Sequence, residues 1–205
     1  MHYTGPLCRL CRREGVKLFL KGARCNTQKC AIVRKNYVPG KYGKDQMGKK
    51  TEYHGQLRAK QKAKRIYGVQ ESQFIAYYKK ANSLAGKTGE NFQQLLELRL
   101  DNAVFRSGLG ESRNQARQIV NHGLLRKNGR RANIASMQVK VGDTFEVSDR
   151  LKTSPLFAAF AKQKDGSPAW IKVDNAKLSF EIVAMPDAAD TEQIDMQTIV
   201  EFYSR

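Results

Sequence analysis

The sequence predicts an α+β fold, in which helices and short antiparallel strands follow one another along the chain. Apolar residues recur at helical spacing in the stretches 56–67, 74–81 and 90–104. After residue 124 they occur in short runs separated by turn signals, as in strands. With 205 residues, the chain is long enough for one or two domains with a sizeable core.

The charge of the chain is strongly positive and unevenly distributed. The formal net charge is +18, from 37 Lys and Arg against 19 Asp and Glu. Residues 1–65 hold 18 basic and 3 acidic residues, so this third of the chain carries +15 of that charge. Such self-repulsion favours a polyanionic partner. We expect the first third to supply much of the attraction.

The N-terminal segment does not resemble a secretory signal, because basic residues interrupt any apolar stretch. These residues are Arg9, Arg12, Arg13 and Lys17. No apolar run of the sequence is long enough to cross a bilayer. We therefore expect an intracellular, cytoplasmic protein that does not act at a membrane.

The four cysteines form two close pairs, separated by thirteen residues. They are Cys8, Cys11, Cys25 and Cys30. Two such pairs suit a closed tetrahedral site, so the spacing predicts one structural zinc ion, with an iron–sulfur cluster as the less favoured alternative. Two disulfides or four unlinked thiols are further alternatives, the first disfavoured by a reducing cytosol. We expect basic neighbours to lower the thiol pKa values, namely Arg9, Arg12, Arg24 and Lys29.

The stretch 31–55 has little periodic apolar pattern and interleaves basic with aromatic residues. Lys35, Tyr37 and Lys41 are examples. Such residues can pair with phosphates and stack on unpaired bases, although a plain flexible linker is the alternative.

Three helices are predicted next. The first covers 56–67, ends at Gly68 and buries Ala59, Ala63, Ile66 and Tyr67, while its other faces are basic. The second carries an aromatic stripe that we assign to the core, formed by Phe74, Tyr77, Tyr78 and Ala81. The third runs from near Glu90 to Gly108, with Arg99 outside its buried stripe.

The stretch 111–147 predicts a capped helix followed by a hairpin. Ser112 and Gln115 have capping-box spacing, Ala116, Ile119 and Val120 form a buried face, and Gly123 can end the helix. Arg113 and Arg117, four residues apart, are expected to share one exposed stripe.

Asn128-Gly129 predicts a type I′ hairpin turn, and Gly142-Asp143 predicts a second turn before a strand at 144–147. Lys127, Arg130 and Arg131 lie around the first turn. The capped helix and the hairpin therefore present a basic surface that suits a polyanion.

The remainder predicts strands at 170–173 and 178–183 and a terminal helix at 196–203, capped by Asp195. The stretch 155–160 is ambiguous. The terminal helix is expected to pack near the basic helix at 56–67.

Several motifs resemble one family over nearly the whole chain. They are GPLCRLCRREGVKLFLKG at 5–22, NYVPGKYG at 36–43, QLRAKQKAKRIYGV at 56–69, RLDNAVFRSG at 99–108, SRNQARQIVNHGLLRKNG at 112–129 and IVEFYSR at 199–205. Together they resemble the bacterial-type small-subunit ribosomal protein S-four family. The segment 112–129 alone resembles only a portable RNA-binding module, which pseudouridine synthases and tyrosyl-tRNA synthetases also carry.

The resemblance implies an extended metal-bearing N-terminal arm at 1–45 and a helical domain at 46–94 to which 184–205 return. A small α/β RNA-binding module with associated strands would occupy 95–183. It implies a structural constituent of the small ribosomal subunit that binds ribosomal RNA (rRNA) early, nucleates assembly of the subunit body and supports translational accuracy. Expected neighbours are the fifth small-subunit protein and the path along which mRNA enters, and repression of its own operon is a further expectation.

The residues expected to contact RNA are basic or aromatic groups of the arm, the first predicted helix and the module. They are Arg9, Arg12, Arg13, Lys35, Tyr37, Lys41, Arg58, Lys62, Lys64, Arg65, Arg99, Arg113, Arg117, His122, Lys127, Arg130 and Arg131.

Two positions depart from the family pattern. Lys127 replaces a usually apolar residue before Asn-Gly, so its strand is interpreted as an edge, or Lys127 as an added phosphate contact. His122-Gly123-Leu124 keeps only the first histidine of a common His-Gly-His, which makes His122 a weaker candidate.

Two other function classes fit parts of the sequence. An RNA-modifying enzyme would need a catalytic constellation, but His2, His54 and His122 have no evident partner and the carboxylates cluster near the C-terminus. A zinc-dependent DNA-binding regulator fits the cysteines and a basic helix, but interleaved tyrosines suit unpaired, folded RNA better than a regular duplex.

Overall fold

The computed structural model describes residues 3–44, 51–158, 160, 166–187 and 194–204. The chain folds as two compact units, residues 1–92 with 193–205 and residues 93–192. The first unit groups the predicted arm with the helical residues. The boundaries predicted for the arm, the helical domain and the RNA-binding module remain predictions.

The first unit is helical. Its helices are α1 Leu7–Glu14, α2 Ala31–Arg34, α3 Glu52–Tyr67, α4 Glu71–Asn82, the first half of α5 Thr88–Glu97, and the C-terminal helix, numbered α9, Met196–Tyr203. Helix α3 starts earlier than predicted because the Thr51 hydroxyl accepts the His54 N–H at 3.2 Å, and it ends at Gly68 with φ +62° as predicted. Asp195 caps α9 through the Thr198 N–H at 3.0 Å, also as predicted.

Helix α9 returns to pack against α3, which confirms the expectation from the sequence. The ammonium of Lys60 lies 4.4 Å from the centre of the Phe202 ring. The Glu71 carboxylate accepts hydrogen bonds from Lys60 at 2.9 Å, Lys64 at 2.6 Å and the Tyr203 hydroxyl at 2.8 Å. Phe74 is fully buried against Phe92, as its assignment to the core predicts.

The second unit joins helices to one antiparallel sheet. It contains α6 Leu100–Arg106, α7 Arg113–Asn121, β1 Leu125–Lys127, β2 Arg130–Ala132, β3 Thr144–Val147, α8 Pro155–Ala158, β4 Ile171–Asp174 and β5 Ser179–Ile182. The strand order is β2-β1-β3-β5-β4. One apolar core joins the sheet to both α6 and α7, with Phe145 stacked on Phe180 at 5.0 Å between ring centroids.

The helix predicted at 90–108 is wrong in one respect, because the chain breaks into α5 and α6 at 98–99. Arg99 is extended there (φ −73°, ψ 138°) and bridges to Gln138. The Leu98 carbonyl accepts the Val139 N–H and the Leu100 N–H donates to the Met137 carbonyl, both at 2.8 Å. Pairing with a distant segment thus overrides helical periodicity.

The hairpin forms as predicted. Asn128 and Gly129 have φ values of +45° and +80°, which a type I′ turn requires. β1 pairs with β2 on one side and with β3 on the other, so the interpretation of its strand as an edge is wrong. Within the described residues, no helix combines the length and apolarity needed to cross a membrane.

Candidate nucleic-acid interface

The C-terminal end of α7 and the adjoining hairpin form an exposed basic surface. Ser112 caps α7, accepting the Gln115 N–H at 3.3 Å, while the Gln115 side chain accepts the Glu111 N–H at 2.8 Å. Ala116, Ile119 and Val120 are buried, so α7 is fixed on the core. We call the exposed surface at its far end the hairpin surface; it consists of His122, Arg126, Arg130 and Arg131.

Strand register explains which hairpin residues face solvent. Leu125 lies opposite Ala132, and both are buried in the core. Because side chains alternate between the faces of a sheet, Arg126 and the opposing Arg131 occupy the solvent face. The prediction from sequence missed Arg126. The two-residue turn at 128–129 determines this register, so the hairpin signal itself contained the information.

Lys127 lies next along the strand and is only partly exposed. Its ammonium contacts the Asp143 carboxylate at 2.6 Å, and 26% of the side chain is exposed. The ion pair satisfies this charge within the unit, so Lys127 has less capacity for a phosphate than its neighbours.

Three arginines that were predicted to contact RNA have hydrogen-bond partners on α6. Arg99 has 0% exposure and pairs with Asp101, donating from Nη2 to Oδ2 at 2.8 Å. Arg113, 8% exposed, donates to Asn102 Oδ1 at 2.8 Å and lies 4.4 Å from the centre of the Phe105 ring. Arg117 donates to Asp101 Oδ2 at 3.0 Å.

The expectation that Arg113 is exposed is therefore wrong, and so is the placement of Arg99 outside the buried stripe. Arg117 is half-buried, with 22% of its side chain exposed. The cause is the polar face of α6, whose Asp101 and Asn102 attract all three guanidinium groups. A fully buried arginine such as Arg99 has no surface for RNA.

The basic residues of α3 also have protein partners. Arg58 and Arg65 both donate to Glu14 at the end of α1, the first at 3.3 Å, and only 3% of the Glu14 side chain is exposed. Lys64 contacts Glu71, as described above. Lys62 is half-buried. These contacts join α3 to α1 and α4, so much of its charge stabilises the fold.

The arm residues divide into a stacked cluster and exposed groups. The Arg12 guanidinium lies 4.6 Å from the Tyr37 ring centre and donates to the Tyr37 carbonyl at 3.0 Å, while Lys44 lies 5.5 Å from the same ring. Tyr37 thus already stacks on cations of its own chain. Arg9, Lys35 and Lys41 are exposed and Arg13 is half-buried.

The four cysteines surround one small cavity of about 20 Å³, which is room for a single ion or water molecule. Cys8 and Cys11 lie on α1, Cys25 in the 3₁₀ turn Gly22–Asn26, and Cys30 just before α2; all four are free thiols. In the described part of the chain, no three His, Cys, Asp or Glu side chains are arranged so that they could hold a metal ion. The four thiols thus line one cavity, but in the described residues they are not arranged as a set of metal ligands.

Burial raises the pKa of Cys11, and the charges of the other three thiols raise it further, while a backbone hydrogen bond at Leu18 opposes both. The expectation that basic neighbours lower the thiol pKa is wrong for this residue.

Known proteins are similar to this chain over almost its whole length. The model of the ribosomal protein S4/S9 N-terminal domain matches residues 2–97, and the S4 domain model matches residues 98–145. Proteins named small ribosomal subunit protein uS4 are similar over 99% of this chain and 99% of their own length. They come from Acidobacterium capsulatum (51% identical), Solidesulfovibrio magneticus (50%) and Desulfitobacterium hafniense (52%).

The chain belongs to the uS4 family. Membership in this ribosomal protein family makes it a structural protein and not an enzyme, which removes the RNA-modifying alternative. It also removes the DNA-binding regulator. The S4 domain match alone would have left the class open, but the N-terminal match at 2–97 and the full-length relatives decide it.

Proposed function

We infer that this protein is a structural constituent of the small ribosomal subunit and binds its rRNA. The observation that carries this inference is identity of about half of all residues to uS4 proteins across both full lengths. The net charge of +18 and the exposed arginines of the hairpin surface support it, since rRNA is a dense polyanion.

The geometry favours recognition of folded RNA by shape. The major groove of A-form RNA is too deep and narrow for side chains to read, so proteins contact double-stranded RNA mainly through phosphates and 2′-hydroxyl groups. The hairpin surface offers guanidinium groups on the two strands that flank a two-residue turn, and a guanidinium can bind phosphate through two parallel hydrogen bonds.

Co-sedimentation and competition binding test this function. We expect the purified chain to sediment with small ribosomal subunits and to prefer small-subunit rRNA over tRNA and duplex DNA at matched salt. Equal affinity for all three nucleic acids, together with no association with subunits, would overturn the inference.

Several finer roles rest on the family resemblance. They are nucleation of early subunit assembly, support of translational accuracy, repression of the protein's own operon, contact with the fifth small-subunit protein and a position along the mRNA path. The protein would perform them in cytoplasmic ribosomes. Order-of-addition reconstitution tests the first role, since omission of a nucleating protein should block later proteins from joining.

We further propose that Cys8, Cys11, Cys25 and Cys30 hold one structural zinc ion. Four free thiols around a cavity for a single atom support the proposal, because zinc accepts four thiolates and needs no open position. Binding would require the thiols to close in and lose their protons. Metal analysis of protein purified without oxygen should find one zinc per chain, whereas iron with sulfide would indicate the cluster alternative.

A further inference from the structure

A positively charged pair lies directly across the hairpin, where sheet energetics disfavour it. Arg126 in β1 and Arg131 in β2 are register partners on the solvent face. Like charges in directly opposing positions destabilise an antiparallel pair. Arg126 has Glu146 of β3 as its opposite neighbour, but β2 lies at the edge of the sheet, so among the described residues no strand pairs with Arg131 on its other side.

Arg131 instead contacts the end of helix α7. Its Nη2 donates to the His122 carbonyl at 3.1 Å. His122 is the C-cap of α7, where outward carbonyls and the helix dipole favour a cation. One of the five N–H donors of the guanidinium is thereby engaged, and the residue remains exposed.

Gly123 provides the space for this contact. Its φ of +65° suits glycine, and a Cβ there would lie 2.2 Å from Arg131 Nε and 2.7 Å from Nη2. Any other residue would therefore push the guanidinium away. Gly142 has a comparable φ of +87°, but nothing lies within 4 Å of the position its Cβ would occupy.

We propose that Arg131 is a pre-positioned phosphate-binding residue, held ready by the His122 carbonyl in a slot that only glycine at 123 leaves open. The proposal rests on the inferred rRNA binding and names a phosphate site within it. A phosphate between Arg131 and Arg126 would relieve their repulsion. Because the guanidinium is already immobilised, less side-chain freedom is lost on binding.

The test compares four variants of the full chain on a transcript of the small-subunit rRNA. Gly123→Ala closes the slot, Gly142→Ala imposes similar backbone strain without touching an arginine, and Arg131→Ala removes the cation; the fourth variant combines Gly123→Ala with Arg131→Ala. The loss of one phosphate contact changes the slope of log affinity against log salt concentration by about 0.7–0.9. Over the range from 1 M to 0.1 M salt, this change of slope corresponds to an affinity difference of about five- to eightfold.

We expect Gly123→Ala and Arg131→Ala each to lose about five- to eightfold in affinity at 0.1 M salt, with Gly142→Ala unchanged. The double variant should bind like Arg131→Ala alone, because the slot acts only through Arg131. If Gly123→Ala does not fold, Gly123→Asn replaces it, since asparagine tolerates a left-handed backbone but still carries a Cβ.

Side-chain relaxation of the Arg131 Nε–H gives a readout without RNA. We expect it to be more restricted than that of Arg130, and this restriction should be lost in Gly123→Ala. If Gly123→Ala kept the affinity and salt slope of wild type, or if the affinity losses of the two single changes added up in the double variant, the proposed positioning of Arg131 by Gly123 would be overturned. If the wild-type chain did not prefer rRNA, the inferred rRNA binding itself would be overturned.

Discussion

Arg117 of α7 donates a hydrogen bond to Asp101 of α6 at 3.0 Å, so an arginine that helical spacing placed on an exposed stripe helps to join two helices. Arg99 pairs with the same carboxylate, and Arg113 contacts the neighbouring Asn102. The basic residues of α7 therefore join α7 to α6. The hairpin surface is the exposed cationic part next to these two helices.

Replacement of Arg113 by alanine is expected to destabilise the second unit. The change removes a buried guanidinium that hydrogen bonds Asn102 and covers the Phe105 ring. We expect a loss of about 2–4 kcal/mol in the free energy of unfolding, measured by urea denaturation. Arg130→Ala, at an exposed position of the hairpin, is the matched control and should stay within about 0.5 kcal/mol of wild type. Equal stability of the two variants would contradict the interior role.

Replacement of Asp101 by asparagine should cost more. Arg99 is fully buried and would keep its charge while its ionic partner became neutral. Breaking a buried pair from one side costs about 3–5 kcal/mol. Urea denaturation at low and high salt provides the measurement, and the loss should persist at high salt because buried pairs are poorly screened. Asp149→Asn, whose exposed partner is Lys152, should change stability little; a comparable loss there would argue against burial as the cause.

Local features of this fold could be predicted from the sequence because a few neighbouring residues determine them. The cap at Ser112, the turn at Asn128-Gly129, the stop at Gly68 and the helix capped by Asp195 all form as expected. Each depends on contacts within about one helical or hairpin turn.

The roles of the charged residues could not be predicted in the same way, because their partners are distant in sequence. Tyr203 donates to Glu71 across 132 positions, and Arg65 contacts Glu14 across 51. Helical spacing places a basic side chain on a face but does not say whether a carboxylate meets it there. The break at Arg99 has the same origin, since pairing with Gln138 decides it.

The stability of the first unit is expected to depend on the ionisation of Glu71. Burial acts to raise the pKa of this carboxyl, but hydrogen bonds from Lys64, Lys60 and Tyr203 outweigh it and lower the pKa to about 2, from an ordinary 4.5. A depressed pKa means that the stabilisation is present above pH 4.5 and is lost as the pH falls from 4.5 towards 2.

Glu71→Gln should therefore be less stable than wild type at pH 7, by about 1 kcal/mol once the partial exposure of the side chain is taken into account. Urea unfolding at several pH values should show this difference shrinking between pH 4.5 and 2. Glu90→Gln, which removes only an exposed contact with Lys87, is the control and should differ little from wild type. A Glu71→Gln difference that stays constant with pH would rule out ionisation as its source.

Removal of the proposed zinc ion should loosen the segment around the cysteines. Cys11, Cys25 and Cys30 are buried, and a bound ion would link α1 to the turn that carries Cys25. Treatment with a chelator should lower the thermal midpoint of wild-type protein and speed amide exchange in residues 7–34. Cys11→Ser should already show both effects and respond no further to the chelator. An unchanged midpoint and exchange pattern in wild type would count against a structural ion.

Arg126→Ala is expected to weaken rRNA binding without unfolding the protein. Arg126 is exposed on the solvent face of β1, opposite Arg131, and was not identified by sequence pattern. Loss of one phosphate contact should lower the log–log salt slope by about 0.7–0.9. Lys177→Ala is the matched control, because Lys177 is exposed in the turn between β4 and β5 and is not one of the residues of the hairpin surface. Filter binding over a range of salt concentrations gives both slopes.

If both variants lower the slope by the same amount, the charge of the unit as a whole attracts RNA and the hairpin surface has no special role. If only Arg126→Ala lowers the slope, the phosphate contact is located at the hairpin.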